Sequence, residues 1–228
     1  MPAEHRLTMA ETGIYGKHPG FGDFIASGLA ENWPIFGDWA QEVLGLWRDG
    51  AGPDWQADFD AGRAVRFWIG PALCGNEQAM RGVWLPSRDR SSRRFPLVVA
   101  QAGGLPPVLD PAQEFYNAAA RSVAELAGID VFDPRQARAA LDLPQPQGNV
   151  PQWPRFWAVN RSLPVVELWH ELAATDHAHA SAARSYWWFA TETETEGGSG
   201  ALCCQGWPDP RELGWLIAGG KPAVEDAS

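Results

Sequence analysis

GIYGKHPGFGDF, at residues 13–24, contains four glycines and one proline. Gly takes positive φ freely, while Pro fixes its own φ and pushes the preceding residue towards extended conformations. The stretch is therefore predicted to be a strand end that runs into a tight loop, with positive φ at Gly16 and Gly22. Its aromatic residues are expected to hold the loop on a core, which leaves its polar side chains for other roles. The aromatic residues are Tyr15, Phe21 and Phe24, and the polar ones are Lys17, His18 and Asp23.

The composition describes an acidic chain with an unusual number of tryptophans. Its 228 residues suffice for one domain that buries roughly 70–75% of the surface of the unfolded chain. Each of the 13 tryptophans can bury on the order of 150–250 Å², so they are expected to carry much of the packing. A formal net charge of −10 disfavours nucleic acid and anionic membranes, since neutralisation of phosphates dominates such affinities. Partners are expected to be neutral or locally basic.

Cysteine usage and apolar runs indicate the compartment. Cys74, Cys203 and Cys204 are an odd set with two adjacent members, which fits neither a disulfide framework nor a zinc site. No apolar run approaches the roughly 20 residues of a membrane span, and residues 1–11 lack the apolar core of a signal peptide. The chain is expected to be cytoplasmic, without membrane insertion.

Short segments rich in β-branched and aromatic residues are predicted to form strands, and no long helical segment separates the first three. These segments cover residues 64–69, 82–87, 96–100, 155–160, 185–190 and 200–205. Because strands and helices do not alternate as βαβ units, the sequence predicts an α+β fold. Its antiparallel-dominated central sheet is expected to have about five strands, flanked by helices.

The helices are predicted from apolar residues at helical spacing and from capping signals. Three of them are expected to begin with an Asp-Pro pair, in which Asp caps the helix and Pro takes its first position. The predicted helices begin at Asn32, Asp110, Asp133, Ser162 and Asp209, and those from Asn32, Asp110 and Asp209 end near Gly50, Gly128 and Gly219.

The predicted organisation is a single domain over residues 12–218. Residues 1–11 are expected to be a flexible N-terminus, and residues 219–228 a flexible C-terminal tail. The Pro-, Gln- and Gly-rich stretch at residues 144–154 is a candidate long loop or subdomain hinge.

No constellation of residues indicates catalysis. Gly13 to Lys17 has too few residues between its glycines for a phosphate-binding loop, and no Ser or Thr follows the Lys. His177 and His179 alternate in what is predicted to be a loop, where they are more typical of exposed histidines than of metal ligands. The sequence has no Gly-x-Ser-x-Gly nucleophile motif. Catalytic residues, cofactors and metals are therefore all predicted to be absent.

Positive charge is concentrated in a seven-residue window. The window holds Arg88, Arg90, Arg93 and Arg94 beside Ser91 and Ser92. Guanidinium groups match carboxylate or phosphate oxygens in bidentate fashion, so the window is a candidate site for an acidic or phosphorylated partner. The alternative is a solvated turn that is paired internally with Asp89 and other acids.

Two motifs resemble the TagF family, also called ImpM, of type VI secretion-associated proteins. The first is Gly16-Lys17-x-Pro19-x-x-Gly22-Asp23-Phe24, and the second is Leu85-Pro86-Ser87-x-Asp89-x-x-x-Arg93-x-Phe95-Pro96-Leu97. Their order and separation match the family, and the resemblance covers roughly residues 12–130. This chain has Ser92 where family members commonly have Gly, so the second turn is expected to be built differently here.

The resemblance implies an accessory, non-enzymatic protein that represses type VI secretion after translation. A forkhead-associated scaffold protein is the partner implied. The ordered loop and the arginine-rich turn lead us to predict a partner-binding face formed by Lys17, Asp23, Arg90 and Arg93. The alternative is structural: Asp23 caps the loop by accepting backbone N–H bonds, and Asp89 and Arg93 pair to brace the turn. The other motif residues are predicted to be structural, and they are Gly16, Pro19, Gly22, Phe24, Ser87, Asp89, Phe95 and Pro96. Two alternatives stay open: a hydrolase or phosphatase acting on a secretion component, and a structural subunit of the apparatus.

Overall fold

A computed structural model describes residues 10–29, 33–151, 155–190 and 198–219. The strands are β1 (Thr12–Gly16), β2 (Ile25–Gly28), β3 (Val65–Ile69), β4 (Met80–Leu85), β5 (Leu97–Ala102), β6 (Arg184–Phe189) and β7 (Gly200–Gln205). The helices are α1 (Trp33–Gly50), α2 (Trp55–Asp60), α3 (Pro71–Cys74), α4 (Glu114–Ala127), α5 (Pro134–Ala139), α6 (Val165–Ser181) and α7 (Pro210–Ile217).

The strands form one sheet in the order β2-β1-β5-β4-β3-β6-β7, and every neighbouring pair is antiparallel. The predicted fold class is confirmed, but the sheet has seven strands and not about five. β2 was not predicted, because its four residues, Ile-Ala-Ser-Gly, carry little strand signal of their own. It forms by pairing with β1 in a hairpin whose long loop is the glycine-rich stretch.

Helices cover both faces of this sheet, because adjacent residues of its strands point to opposite sides. On one side, Tyr15, Trp84 and Val98 pack with α1 and α7. On the other side, their chain neighbours Ile14, Val83 and Val99 pack with α4 and α5. β3, β4 and β5 are therefore buried on both faces, so most of their residues are apolar and their polar residues Arg66, Arg81 and Gln101 are buried too.

The capping signals predicted two helix starts correctly. Asp133 accepts hydrogen bonds from the backbone N–H groups of Arg135 and Gln136. Asp209 and Glu212 form a complete capping box at the start of α7. The helix predicted from Asn32 is present as α1, but Asn32 itself lies outside the described residues.

Three predictions for residues 110–165 are wrong. Residues 155–160 form no strand, and Ser162 caps no helix, since α6 begins at Val165 after Pro164. The helix predicted from Asp110 begins only at Glu114. The side chain of Gln113, which a capping box would turn back towards Asp110, instead accepts hydrogen bonds from Arg66 Nη1 at 2.7 Å and Trp188 Nε1 at 3.1 Å.

The candidate hinge and the two ends of the chain are only partly described. Residues 144–151 contain no helix or strand, while residues 152–154 lie outside the described part. Most of the two ends predicted to be flexible, residues 1–9 and 220–228, also lie outside it. Of the helices in the described ranges, none has the length and apolar character needed to cross a bilayer.

Candidate partner-binding face

The glycine-rich loop leaves the sheet at a close contact between β1 and β5. Gly16 pairs with Leu97 and has a φ of +111°, a left-handed conformation that side chains disfavour. The next residue, Lys17, donates its backbone N–H to the carbonyl oxygen of Pro96 at 3.2 Å. Gly16 thus has the predicted positive φ. Gly22 does not, so that part of the prediction is wrong.

His18 anchors the loop from inside the molecule. The sequence suggested a polar side chain open to other roles, but His18 is wholly buried, and its ring stacks on that of Phe132 with centroids 3.9 Å apart. Its Nε2 lies 2.6 Å from the carbonyl oxygen of Leu126, and its Nδ1 lies 3.0 Å from the backbone nitrogen of Gly20. A carbonyl only accepts and an N–H only donates, so the ring is neutral with its proton on Nε2.

The stability of the protein should therefore depend on the protonation of His18. Burial lowers the pKa of His18 below its usual 6.5, against the smaller opposing effect of the Leu126 hydrogen bond. The unfolded chain binds the proton more tightly, so this contribution is present above about pH 6.5 and is lost as pH falls through the folded-state pKa. We expect the free energy of unfolding to decrease between pH 7 and pH 5, with a slope of at most about 1.4 kcal/mol per pH unit from this group.

Denaturant titrations at several pH values check this expectation. Gln offers one donor and one acceptor without titrating, so His18→Gln should flatten the slope. His170→Gln, at an exposed position of α6, is the matched control and should retain it. An unchanged slope in His18→Gln would contradict the assignment.

Asp89 is the centre of the arginine-rich turn, which we define as residues 87–94. This carboxylate is 2% exposed. Its Oδ1 accepts the backbone N–H groups of Ser91 at 2.9 Å and Arg93 at 3.0 Å. Its Oδ2 accepts Arg93 Nε at 2.6 Å and pairs with Lys17 Nζ at 3.2 Å. Burial alone would raise the pKa of Asp89, but the Arg93 backbone bond, followed by the bonds from Lys17 and the Arg93 side chain, lowers it to about 2.

Two arginines connect this turn to the glycine-rich loop. Arg90 Nη2 donates to the carbonyl oxygen of Gly20 at 2.7 Å, and Arg93 Nη2 donates to that of Gly22 at 3.1 Å. The backbone N–H of Arg90 also donates to the carbonyl oxygen of Phe21 at 3.1 Å. Loop and turn are therefore one ordered surface, which we call the loop–turn face (residues 17–24 and 87–94).

Three of the four predicted contact residues are joined within this face. Lys17 and Arg93 share Asp89, and Arg90 holds the loop beside them. Asp23 is in the same loop, but no hydrogen bond of its side chain reaches the turn; its Oδ1 accepts the N–H of Phe24 at 2.7 Å. Arg90, Arg93 and Asp23 are exposed, whereas the Lys17 side chain is only 13% exposed. Whether they contact a partner stays a prediction.

Aromatic residues pack against the buried side of the loop–turn face. Phe24 lies between Tyr15 and Phe95, with ring centroids 4.9 Å and 4.8 Å away. Phe95 is buried, and its backbone N–H donates to the carbonyl oxygen of Ser87 at 3.1 Å. Of the other predicted structural residues, Pro96 accepts the Lys17 N–H, whereas Pro19 and Gly22 are exposed.

The two remaining arginines of the turn differ in their surroundings. Arg94 forms a two-bond ion pair with Asp60 and lies over the Trp55 ring, 5.8 Å from its centroid, which fixes the turn to α2. No sequence signal singled out Asp60 as this partner. Arg88 is exposed, and no ion pair holds it among the described residues.

Ser92 has a φ of +62°, the left-handed conformation that Gly adopts freely. The turn thus keeps the backbone that suits Gly, although Ser occupies the position. The strain of a non-Gly residue in this region is roughly 1–2 kcal/mol. The hydrogen bonds around Asp89 offset it, since they fix the residues on both sides.

The residues considered for catalysis do not converge. His177 and His179 lie on α6 and not in a loop, so their side chains point to different sides of a helix. His177 hydrogen bonds to the Tyr186 hydroxyl, and His179 packs on Phe156. No cluster of three or more His, Cys, Asp or Glu side chains suited to a metal occurs within the described ranges. Burial raises the pKa of Cys204 to about 11, and Cys203 beside it in β7 is exposed.

Fold and site together define an α+β protein with one helix-covered antiparallel sheet and a charged, internally hydrogen-bonded loop–turn face. A crystal structure of PA0076 from Pseudomonas aeruginosa PAO1 has this fold: its TM-score is 0.71 at 24% sequence identity, over 94% of this chain and 97% of that one. The chain belongs to the TagF family, since the model of the type VI secretion system-associated TagF N-terminal domain matches residues 13–142. None of the curated proteins compared with it matches.

Both sequence motifs of the loop–turn face lie inside the family match. The chain is thus associated with type VI secretion, and its family points to a protein partner within that system.

Proposed function

We propose that this chain is a cytoplasmic regulator that represses type VI secretion after translation by binding a forkhead-associated scaffold protein of the system. The observation that carries the proposal is the loop–turn face, which concentrates exposed arginines on a chain of net charge −10. An ordered surface of this kind favours binding, because fewer groups have to be ordered when the partner arrives. The proposed partner surface is acidic or phosphorylated, since guanidinium groups pair with carboxylates and phosphates.

Repression follows if the regulator binds one state of its partner more tightly than another. A protein that binds only the unassembled scaffold shifts the equilibrium away from the assembled apparatus. An affinity of micromolar order, about 8 kcal/mol, suffices for a reversible brake when both proteins are present at similar concentrations.

The binding test reverses two charges on the face. Arg88 has no ion pair in the described part of the chain, and Arg90 contributes one exposed hydrogen bond to the loop. Arg88→Glu with Arg90→Glu should therefore weaken binding at least tenfold while costing only about 1 kcal/mol of stability. Calorimetry with the forkhead-associated protein of the same gene cluster measures the affinity, and thermal unfolding measures the stability.

Arg121→Glu with Arg211→Glu is the matched control, because it makes the same change in net charge at exposed positions of α4 and α7. This variant should bind like the wild type. If both double variants lose the same affinity, net charge alone explains the effect, and this result would contradict the assigned face. No binding by the wild type would overturn the proposed partner.

A further inference from the structure

A second surface of the chain is apolar, exposed and distinct from the loop–turn face. Half of the exposed large hydrophobic side chains of the described residues fall within residues 157–169. They are Trp157, 94% exposed, Val159, 83%, Val165, 64%, Val166, 62%, and Trp169, 65%. We call these five residues the α6 surface. Monomeric proteins rarely expose contiguous apolar patches of more than a few hundred Å².

The geometry of α6 explains why this surface stays uncovered. The helix is held to the sheet by its C-terminal end, where Ala178 and Ser181 are buried and Ser181 lies 3.3 Å from the Tyr186 hydroxyl. No residue in the N-terminal half of α6 is buried. There, Val165, Trp169 and Leu172 recur at i, i+4 and i+7, the spacing by which a helix presents one apolar stripe to another element.

We propose that the α6 surface is a two-fold interface between two copies of this chain. A two-fold interface must be self-complementary, so each charged group near the axis needs its counterpart on the same surface. The stripe has Asp176 at its C-terminal end, and Arg161 precedes the helix at its N-terminal end. Antiparallel packing of α6 on its symmetry mate, centred between Leu168 and Trp169, pairs Val165 with Leu172 and brings Arg161 towards Asp176 of the other copy.

The exposed apolar area of the α6 surface is compatible with a second copy of the chain as the partner. A tryptophan side chain offers roughly 150–250 Å², so Trp157 and Trp169 together expose about 240–400 Å² at the fractions above. The three valines, all more than three-fifths exposed, add further apolar area, and a standard interface buries roughly 800 Å² per partner. Aromatic anchors at the centre of such a patch provide most of the binding energy.

Sedimentation velocity over a range of concentrations tests the proposal on the full chain. We expect the wild type to sediment as a dimer at micromolar concentration and Trp169→Glu to sediment as a monomer at the same concentration, with an unchanged circular dichroism spectrum. Val131→Glu is the matched control, because Val131 is 90% exposed and lies outside the α6 surface. It should remain dimeric.

A charge exchange tests the antiparallel arrangement. Arg161→Glu and Asp176→Arg should each weaken the dimer several-fold, and the double variant should restore most of the loss. A wild type that stays monomeric at every concentration would overturn the proposal. So would a monomeric wild type that binds the forkhead-associated protein and loses that binding through Trp169→Glu, since the surface would then belong to a different partner.

Discussion

Replacing Gly16 by valine is expected to lower the free energy of unfolding by at least about 4 kcal/mol. At a φ of +111°, Gly16 has a backbone conformation that a β-branched residue avoids. A Cβ at this position would also overlap the carbonyl oxygen of Pro96, a backbone atom fixed by the β1–β5 pairing. Relief of this overlap would require β1 and β5 to separate at the start of the loop. Urea unfolding followed by tryptophan fluorescence measures the loss.

Gly22→Val in the same loop is the control. Apart from Gly22 and its chain neighbours, no described residue has a heavy atom within 4 Å of the position that a Cβ at Gly22 would take, and its φ is not in the left-handed region. The free energy of unfolding should change by no more than about 0.5 kcal/mol, as for other exposed sites. Similar losses in the two variants would show that glycine content, and not the close contact at Gly16, accounts for the sensitivity of the loop.

This pair of glycines illustrates what the sequence could predict about the loop. The cluster of glycines and a proline correctly predicted a strand end followed by a tight loop. It did not distinguish Gly16, which contacts a strand 80 residues further along, from Gly22, which faces open space. Contacts of this kind depend on the register between β1 and β5, and local sequence carries no information about register.

The same distinction explains which elements were predicted. The starts at Asp133 and Asp209 were correct because the caps use atoms of residues within three positions. The start at Asp110 failed although its sequence signal was as strong, because Arg66 and Trp188 take up the side chain of Gln113. These are tertiary contacts, and they override a local preference.

The strand predicted at residues 155–160 failed for a related reason. Its aromatic residues and Val159 favour a strand, but a strand also needs a neighbour. The sheet ends at β2 and β7, and this segment pairs with neither. Trp157 and Val159 are left exposed, so two of the residues that misled the prediction belong to the α6 surface.

In the candidate site, the sequence predicted a structural role for Asp89 but not for His18. Asp89 belongs to the second motif and His18 lies at an unspecified position of the first, and each is buried at the centre of a set of hydrogen bonds. The Leu126 carbonyl that accepts from His18 is 108 positions away in the chain. His18 and Asp89 hold the loop and the turn in place, while the exposed arginines remain available to a partner. The stability of the face and its binding should therefore respond to different substitutions.

Asp89→Asn is expected to lower the free energy of unfolding by about 1.5–3 kcal/mol at neutral pH, because Lys17, 13% exposed, loses its charge partner, whereas Arg93, 59% exposed, stays solvated. Lys17 and Arg93 lose the carboxylate that they share. The side-chain amide of the new Asn would instead point N–H donors at the donor groups of these two side chains. The pKa of Asp89, about 2, lies below its usual 3.8, so the stabilisation is present above about pH 3.8 and is lost as pH falls towards 2. The difference in free energy of unfolding between the wild type and Asp89→Asn should therefore become smaller between pH 3.8 and pH 2. Denaturant titrations at pH 7 and pH 3 measure both effects.

Asp23→Asn removes a carboxylate from the same face at an exposed position and is the matched control. Its stability should stay within about 0.5 kcal/mol of the wild type at both pH values. The two variants thus separate the fold from the proposed binding. Asp89→Asn should release the loop from the turn and so weaken partner binding through loss of order in the face. Asp23→Asn can change partner binding only if Asp23 contacts the partner directly. A stable Asp89→Asn variant that still binds would contradict the central role of this carboxylate, because the arginines would then hold their positions without it.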